Sequence, residues 1–325
     1  MEIKVADDKQ SQIDALTSLL GRPDAPPPTR KRIEQEIRNI RAGTKGERDA
    51  AYEIDFHYRH SRNFVTIHDL RIECDGRVAQ IDHLIINRIF EIWVCESKWF
   101  SYGVAINEHG EWSAFYGRGR RGIASPIEQN KRHVSVLSDV FNKGLVKLPK
   151  RLGMTMKPSV KTVVLVANTA RIDRPRGRAA DQVEGIHDVI KCERLFATMD
   201  KAWDEKGVAV VLTLVGQETI EILARDLVKL HVPGSFDWAA KFGLTKEPLA
   251  IPVHAPAILN QTAAVLRVPG PAVGEAEPHE SSSAVCESCA KAISSAEVAY
   301  CRNNATRFSG KVLCFTCQRR ARRVS

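Results

Sequence analysis

Residues 77–100 read RVAQIDHLIINRIFEIWVCESKWF, two runs of alternating apolar and polar side chains around the turn NRIF. A period of two is the mark of strands with one buried face, and a short turn between two such runs makes an antiparallel hairpin. Period two puts Gln80 and Asp82 on the face of Leu84 and Ile86, and Glu96 and Lys98 on the face of Ile92, Val94 and Phe100. The midpoint of 82 and 96 falls in the turn, so a hairpin closed there sets Asp82 roughly opposite Glu96. Two carboxylates and an ammonium on apolar strand faces are costly unless they are paired or hold a metal.

Outward from this hairpin the pattern continues. NFVTIHDLRIEC upstream reads as a further strand, and GERDAAYEIDFHY before it as a helix. Downstream, ASPIEQNKRHVSVLSDVF reads as a helix started by Ser125-Pro126, with proline at the first helical position, and VKTVVLVAN as a short buried strand. The order α-β-β-β-α-β predicts an α/β core, a mixed sheet flanked by helices. Around it the chain divides into a helical segment at 1–42, the core at 43–168 and an accessory α/β segment at 169–245. The accessory segment is expected to hold loop, strand, helix, strand and helix. A linker with six prolines follows at 246–283, then a tail at 284–325.

The polar residues on these strands fit metal-assisted phosphodiester hydrolysis. Mg²⁺, or Mn²⁺ in its place, prefers hard oxygen ligands and is commonly held by one or two carboxylates with waters and substrate phosphates. Asp82 and Glu96 supply those carboxylates in this reading, with the backbone carbonyl of Ser97 as a third oxygen. Lys98 positions or deprotonates the attacking water and offsets phosphate charge. Glu47 shares a helix face with Ala51, Ile54 and Tyr58, which turns it toward the core as a third carboxylate. Gln129 and His133 stand one turn apart on the later helix; Gln129 would orient a phosphate or base, and His133 reads better as a packing residue. Asp69, Glu73 and Asp75 are spare acids. The bare spacing Asp…Glu-x-Lys arises by chance about once in a chain of this size, so the shared face and the flanking helices carry the argument. The alternative is a structural salt-bridge network.

Charge points to a polyanionic partner. The net charge is +9, and the last 42 residues hold eight basic and two acidic side chains. The longest strongly apolar run, VAVVLTLVG, is about half of a membrane span, and MEIKVADDKQ has no signal-peptide core. A cytoplasmic location without membrane attachment is expected.

The tail also gathers five of the eight cysteines. Cys286-x-x-Cys289 and Cys314-x-x-Cys317 each present two thiolates, the spacing of a tetrahedral Zn²⁺ site, with a small hairpin expected between the pairs. Cys301 lies inside the intervening stretch, either as a substitute ligand or as a free thiol. The basic run Arg319, Arg320, Arg322 and Arg323 just past the last ligand favours phosphate contact over a merely solvated terminus.

Taken in order, GTKGERDA, QIDHLIIN, IWVCESKWF and SPIEQNKRHVSVL resemble the NERD (nuclease-related) domain of the restriction-endonuclease-like superfamily, over roughly residues 43–168. The tail resembles a zinc ribbon of the kind appended to DNA-processing enzymes. The resemblance implies a restriction-endonuclease-like three-layer core, Mg²⁺-dependent DNA cleavage, and Glu47, Asp82, Glu96, Lys98 and Gln129 as site residues. The expectation is therefore a metal-dependent nuclease acting on DNA held by the zinc ribbon and basic tail. RNA stays open as substrate, and a homodimer is expected by analogy. Two alternatives stand beside it: a catalytically silent nucleic-acid-binding protein, and a zinc-ribbon protein–protein adaptor in DNA repair or defence.

Overall fold

The computed structural model describes residues 1–100, 102–117, 119–205, 207, 213–245, 285–293 and 295–321. They fall in two compact units, Met1–Leu249 and Ala250–Ser325. The Pro-rich stretch at 246–283 lies outside the described residues, as do Arg322, Arg323 and the side chains of Arg319 and Arg320. Among the described residues no helix is long and apolar enough to cross a membrane.

The first unit opens with β1 (Glu2–Lys4), α1 (Gln10–Leu20) and α2 (Pro27–Tyr58), then β2 (Phe64–Cys74), β3 (Arg77–Asn87) and β4 (Glu91–Lys98). Three short strands follow, β5 (Gly103–Ile106), β6 (Trp112–Tyr116) and β7 (Gly119–Ile123), before α3 (Pro126–Asn142). Ser125 caps α3, its side chain accepting from the Glu128 N–H, and Pro126 occupies the first turn. A two-residue hairpin, β8 (Lys150–Arg151) and β9 (Met154–Thr155), leads to β10 (Ser159–Val166), β11 (Arg171–Asp173), α4 (Arg178–Asp181), β12 (Val189–Lys191) and α5 (Leu195–Asp204). The unit ends with α6 (Gln217–Lys229) and α7 (Trp238–Phe242). The strand expected in VAVVLTLV lies for the most part outside the described residues.

The main sheet has six strands in the order β1-β2-β3-β4-β10-β12. β2, β3 and β4 are antiparallel, whereas β1 runs parallel to β2, and β10 runs parallel to both β4 and β12. This is the mixed sheet that the α-β-β-β-α-β order predicts. Ala50, Ile54 and Tyr58 of α2 pack with Leu195 and Met199 of α5 on Ile85, Trp93, Cys95, Val163 and Leu165. Against the opposite face lie Val136, Leu137 and Val140 of α3 and Ile220, Leu223 and Leu227 of α6. The result is three layers, with the sheet buried on both sides.

Residue 43, where the sequence reading begins the core, lies within α2, a single helix of 32 residues. No proline interrupts the chain after its first turn. Its N-terminal half joins α1 and α7 in a separate cluster through Ile33 and Ile37, and its C-terminal half packs on the sheet. From the 169–245 segment, β12 takes one edge of the main sheet and α6 covers part of its face.

A second sheet, in the order β11-β5-β6-β7, grows out of the first. β4 and β10 lie side by side, with Lys98 paired to Val166. Four residues beyond each, the chain resumes as β5 and β11, again parallel, with Gly103 paired to Arg171. Gly103 has φ of 116°, and a Cβ there would sit 2.0 Å from the Arg171 carbonyl oxygen, so only glycine fits the crossing.

The second unit holds α8 (Ser295–Asn303) and α9 (Phe315–Ala321). The stretch between the two Cys-x-x-Cys pairs is mainly helical where a hairpin was expected; an isolated bridge, Val285 to Ala292, is the β pairing there among the described residues. Ser-Ala-Glu-Val-Ala-Tyr-Cys-Arg-Asn has neither the alternation nor the turn residues a hairpin requires.

Candidate active site and four-cysteine cluster

The β3–β4 hairpin closes in the predicted register. His83 pairs with Cys95 and Ile86 with Ile92, and one further step sets Asp82 against Glu96. The turn is made without glycine. Phe90 takes φ of 59° there, and burial of its ring in the sheet core offsets a backbone cost of about 1–2 kcal/mol.

Strict alternation fails at the site itself. Ala79 and Ile81, then Leu84 and Ile86, point into one core, so the pattern slips by one residue across Asp82-His83. β2 slips at the facing position, from Val65 and Ile67 to Leu70 and Ile72. Between them Asp69 has φ of 53°, and the ladder skips the pair Asp69–Asp82. The expected placement of Gln80 beside Leu84 and Ile86 is therefore corrected. Its amide donates instead to Asp69 Oδ1 at 3.0 Å. A left-handed residue re-aims the strand much as a bulge does, and here it marks the place where the carboxylates gather.

Asp82 Oδ2 accepts from the Ser97 backbone N–H at 2.8 Å and from Ser97 Oγ at 2.9 Å. Lys98 Nζ donates to Glu96 Oε1. Glu96 is 1% exposed, and its Oε2 has no hydrogen-bond partner among the described residues. Burial pushes the Glu96 carboxyl up to about 8, and the nearby Asp82 adds to the shift. Glu47 is pushed up to about 7 by burial and again by Asp82, with Lys9 and Lys98 opposing. Asp82 is raised by burial despite Lys98 and the two Ser97 bonds. Burial works against the Lys98 ammonium, but Glu96, Asp82 and Glu47 outweigh it and hold its pKa above the ordinary lysine value. Glu47, Asp82, Glu96 and Lys98 thus share one electrostatic site: three carboxylates and one ammonium.

Glu47 reaches this site because α2 passes unusually close to the end of β4. A Cβ on Gly46 would meet Trp99 Cβ at 2.6 Å, so the helix can touch Trp99 only through glycine. Lys45 Nζ lies 4.1 Å from the Trp99 ring centroid, a cation–π contact on the same edge.

From the other side α3 brings His133, whose Nδ1 is 3.7 Å from Glu96 Oε2. Burial and Lys98 lower His133 to about 4, so at neutral pH it faces Glu96 as an uncharged ring. Its place against Glu96 ties it more closely to the site than the sequence indicated. Gln129 is half-buried one turn earlier and has no hydrogen bond or ion pair to the carboxylates among the described residues. Asn130, missed from the sequence, is 1% exposed and donates to the carbonyls of Val94 and Val163, pinning α3 across β4 and β10 beside Glu96. Its spacing from Ile127 and Leu137 on the buried stripe was the available signal. Of the spare acids, Asp69 adjoins the site and pairs with Lys9 at 2.5 Å. Glu73 instead binds Arg71, and Asp75 binds Lys143 on the surface.

In the second unit, the sulfurs of Cys286, Cys289, Cys314 and Cys317 all lie within 4.8 Å of one another, and Cys289 and Cys314 are 3.6 Å apart. A metal with bonds of about 2.3 Å to four sulfurs needs tetrahedral edges of about 3.8 Å, so the four thiols fit one ion. Burial opposes ionisation of Cys286, but the N–H groups of Cys314, Ser288 and Cys289 prevail and bring it down to about 6. Cys301 stands apart from the four: its Sγ accepts from the Leu313 N–H at 3.3 Å and from Gln318 Nε2 at 3.2 Å.

The buried carboxylates on adjacent strands and the lysine two residues past the second lie within one stretch that matches a known family. Residues 42–166 match NERD, the nuclease-related domain. The chain carries a NERD domain. Its match spans α2 from residue 42 to the end of β10, and so takes in Glu47, Asp82, Glu96, Lys98 and Gln129. No curated protein and no solved structure matches the chain.

Proposed function

We propose that the protein is a metal-dependent nuclease that hydrolyses DNA phosphodiester bonds at the NERD-domain carboxylates. The observation that carries this reading is the gathering of Glu47, Asp82 and Glu96 about Lys98, which pairs with Glu96 alone, with all three carboxyls raised and Glu96 Oε2 buried without a hydrogen bond. Lys9 is answered by Asp69, Lys98 alone does not balance three carboxylates, and a divalent cation added to it does. A structural salt bridge would pair its charges and leave no acceptor over.

Asp82 and Glu96 would hold Mg²⁺ or Mn²⁺, with the Ser97 carbonyl as a further oxygen. When bound, the ion polarises the phosphoryl oxygen and lowers the pKa of water. Ser97 fixes one Asp82 oxygen through two hydrogen bonds and leaves the other for a ligand. Lys98, paired with Glu96, would orient the attacking water and offset phosphate charge. Glu47 completes the acidic wall, and Gln129 orients the substrate. The four cysteines take Zn²⁺, and the basic run Arg319, Arg320, Arg322 and Arg323 adds phosphate contacts in a cytoplasmic protein.

The test is cleavage of supercoiled and linear DNA with Mg²⁺ or Mn²⁺ by wild type, Asp82→Ala and Lys98→Ala, with EDTA controls. Metal-dependent nicking that both variants lose is the expected result. Equal background cleavage in all three preparations would overturn the enzyme reading.

A further inference from the structure

The second sheet has one buried face and one open face, and the open face is built in rows. Val104, Ile106 and Trp112 point into a cluster with Trp99, Phe100 and Ile127, which ties the sheet to the end of β4 and the first turn of α3. On the other face the register aligns Phe115 with Arg120, and Ser113 with both Gly122 and Ala105. Arg171 pairs with Gly103 and Asp173 with Ala105. One row across the four strands therefore runs Arg171, Gly103, Phe115, Arg120. The next runs Asp173, Ala105, Ser113, Gly122.

The first row is a pair of guanidiniums on either side of an aromatic ring. Arg120 Cζ lies 4.8 Å from the Phe115 centroid and Arg171 Cζ 5.6 Å. Gly103, which the strand crossing requires, leaves the gap that lets Arg171 reach the ring. Both arginines remain more than half exposed, at 58% and 68% of their side chains. They share one carboxylate, Asp173, at 3.7 Å and 3.1 Å. The second row, small apart from Asp173, floors a groove of about 850 Å³ whose lining is of mixed charge, with Arg120 and Arg174 alongside Glu108, Glu111 and Asp173, so the phosphate contacts belong to the first row. A ligand lying there can approach the backbone closely.

We infer that this open face is a DNA-binding surface, on which Arg120 and Arg171 take backbone phosphates of the strand leading to the carboxylate site. The inference rests on the nuclease reading above and deepens it by saying where the substrate lies. Stacking on Phe115 holds the two guanidinium forks in place before the ligand arrives, so less rotamer freedom is lost on binding. Arginine forks suit phosphate oxygens, which accept two parallel N–H bonds. Asp173 answers one of the two positive charges and leaves the row net cationic. Four residues join Lys98 to β5, and the pair β5–β11 continues the pair β4–β10 that carries Glu96 and Lys98. Arg176 and Arg178 are also exposed, at the start of α4.

The experiment measures binding of a fluorescent DNA duplex to the full chain in EDTA, across a salt series, for wild type and for Arg120→Ala/Arg171→Ala. Cleavage and thermal unfolding are followed on the same preparations, with Glu96→Gln as the variant that keeps the face. The double variant should unfold at the wild-type temperature and bind at least tenfold more weakly. Its slope of log K against log salt should be shallower by about 2, since each phosphate contact contributes about 0.9. Phe115→Leu should fall between the two. Wild-type affinity and slope in the double variant would overturn the inference and leave the nuclease reading standing. Salt-sensitive binding that the arginine variants lose, with no cutting by any preparation, would keep the inference and overturn the nuclease reading. A wild type that does not bind DNA would overturn both.

Discussion

The carboxylate cluster and the four-cysteine cluster both gather ligands suited to a cation, and they differ in what brings the ligands together. Asp82 and Glu96 stand on strands paired in a six-stranded sheet, and the helices on both sides pack on it through apolar side chains distinct from the site residues they also carry. The carboxylate positions are set by the core, and the charges there are tolerated. In the second unit, four of the seven residues of the buried cluster are cysteines, three of them from the set of four. There the ligands are themselves the core. The first site should keep its shape without a cation, and the second should not.

The largest effect expected is on the tail. Cys286→Ser or Cys317→Ser, or strong chelation, should remove most of the folding free energy of the second unit, since structural zinc supplies roughly 10–16 kcal/mol in small domains. Limited proteolysis should then cut rapidly within residues 285–321 while the first unit keeps its unfolding temperature. Cys301→Ser, in contrast, should leave zinc content unchanged, because its sulfur is engaged by Leu313 and Gln318. If the four-cysteine variants resisted protease as well as wild type, the contrast between the two clusters would collapse.

Next comes the reverse behaviour at the carboxylates. Glu96→Gln should abolish metal-dependent cleavage by more than the ~100-fold that loss of an outer-shell partner costs. Yet it should raise the unfolding temperature of the metal-free protein above pH 8, because a neutral amide replaces a buried carboxylate that is forced to ionise there. Calorimetry in EDTA checks this. A fall in stability would mean that the Lys98–Glu96 pair holds the fold together more than the three carboxylates strain it.

Gly46→Ala probes how the helix and the strand end are kept in contact. The added methyl would overlap Trp99, which must move for α2 to stay in place. Overpacking of this kind costs about 1–3 kcal/mol. Cleavage should fall with stability, since Glu47 follows Gly46 in α2. Retention of both at wild-type levels would show that Trp99 yields freely and that the approach of α2 does not position Glu47.

Gly46 and Asp69 also mark where the sequence was and was not legible. Hairpin register and the cysteine pairs were legible because each depends on local spacing: a turn between alternating runs, or two residues between thiols; the edge strand β1, within a stretch read as helical, was not. Nor was the slip in alternation at Asp82-His83. It depends on Asp69, eleven residues away in the chain before Gln80, adopting a left-handed backbone opposite Asp82. No local pattern announces that. The second sheet was missed for a related reason: its strands are three to five residues long, too short for periodicity to show, and its parallel pair β5–β11 joins segments far apart in sequence. His133 was read as packing because a helix stripe cannot say which buried atom it will face.

The last effect is on pH dependence, and its sign follows from the raised carboxyls. Glu96 ionises at about 8 in the folded protein and Glu47 at about 7, against an ordinary glutamate value of 4.5. Between those values the folded chain holds protons that the unfolded chain has lost. Stability from these groups is therefore fully present below about 4.5 and is lost as pH rises through 7 and 8. A divalent cation must displace the same protons, so its affinity should run the other way, rising about tenfold from pH 7 to above pH 8 if Glu96 alone gives up its proton. Unfolding temperatures at pH 6 and pH 9, each with EDTA and with Mg²⁺, test both halves. The Mg²⁺ stabilisation should be larger at pH 9, and Glu96→Gln should flatten most of the difference. A metal-free protein whose unfolding temperature, corrected by the Glu96→Gln baseline, does not fall between pH 6 and pH 9 would mean that Lys98 and Lys9 already balance the acidic wall. In that case the carboxylates would form a closed salt-bridge network and no longer call for a cation.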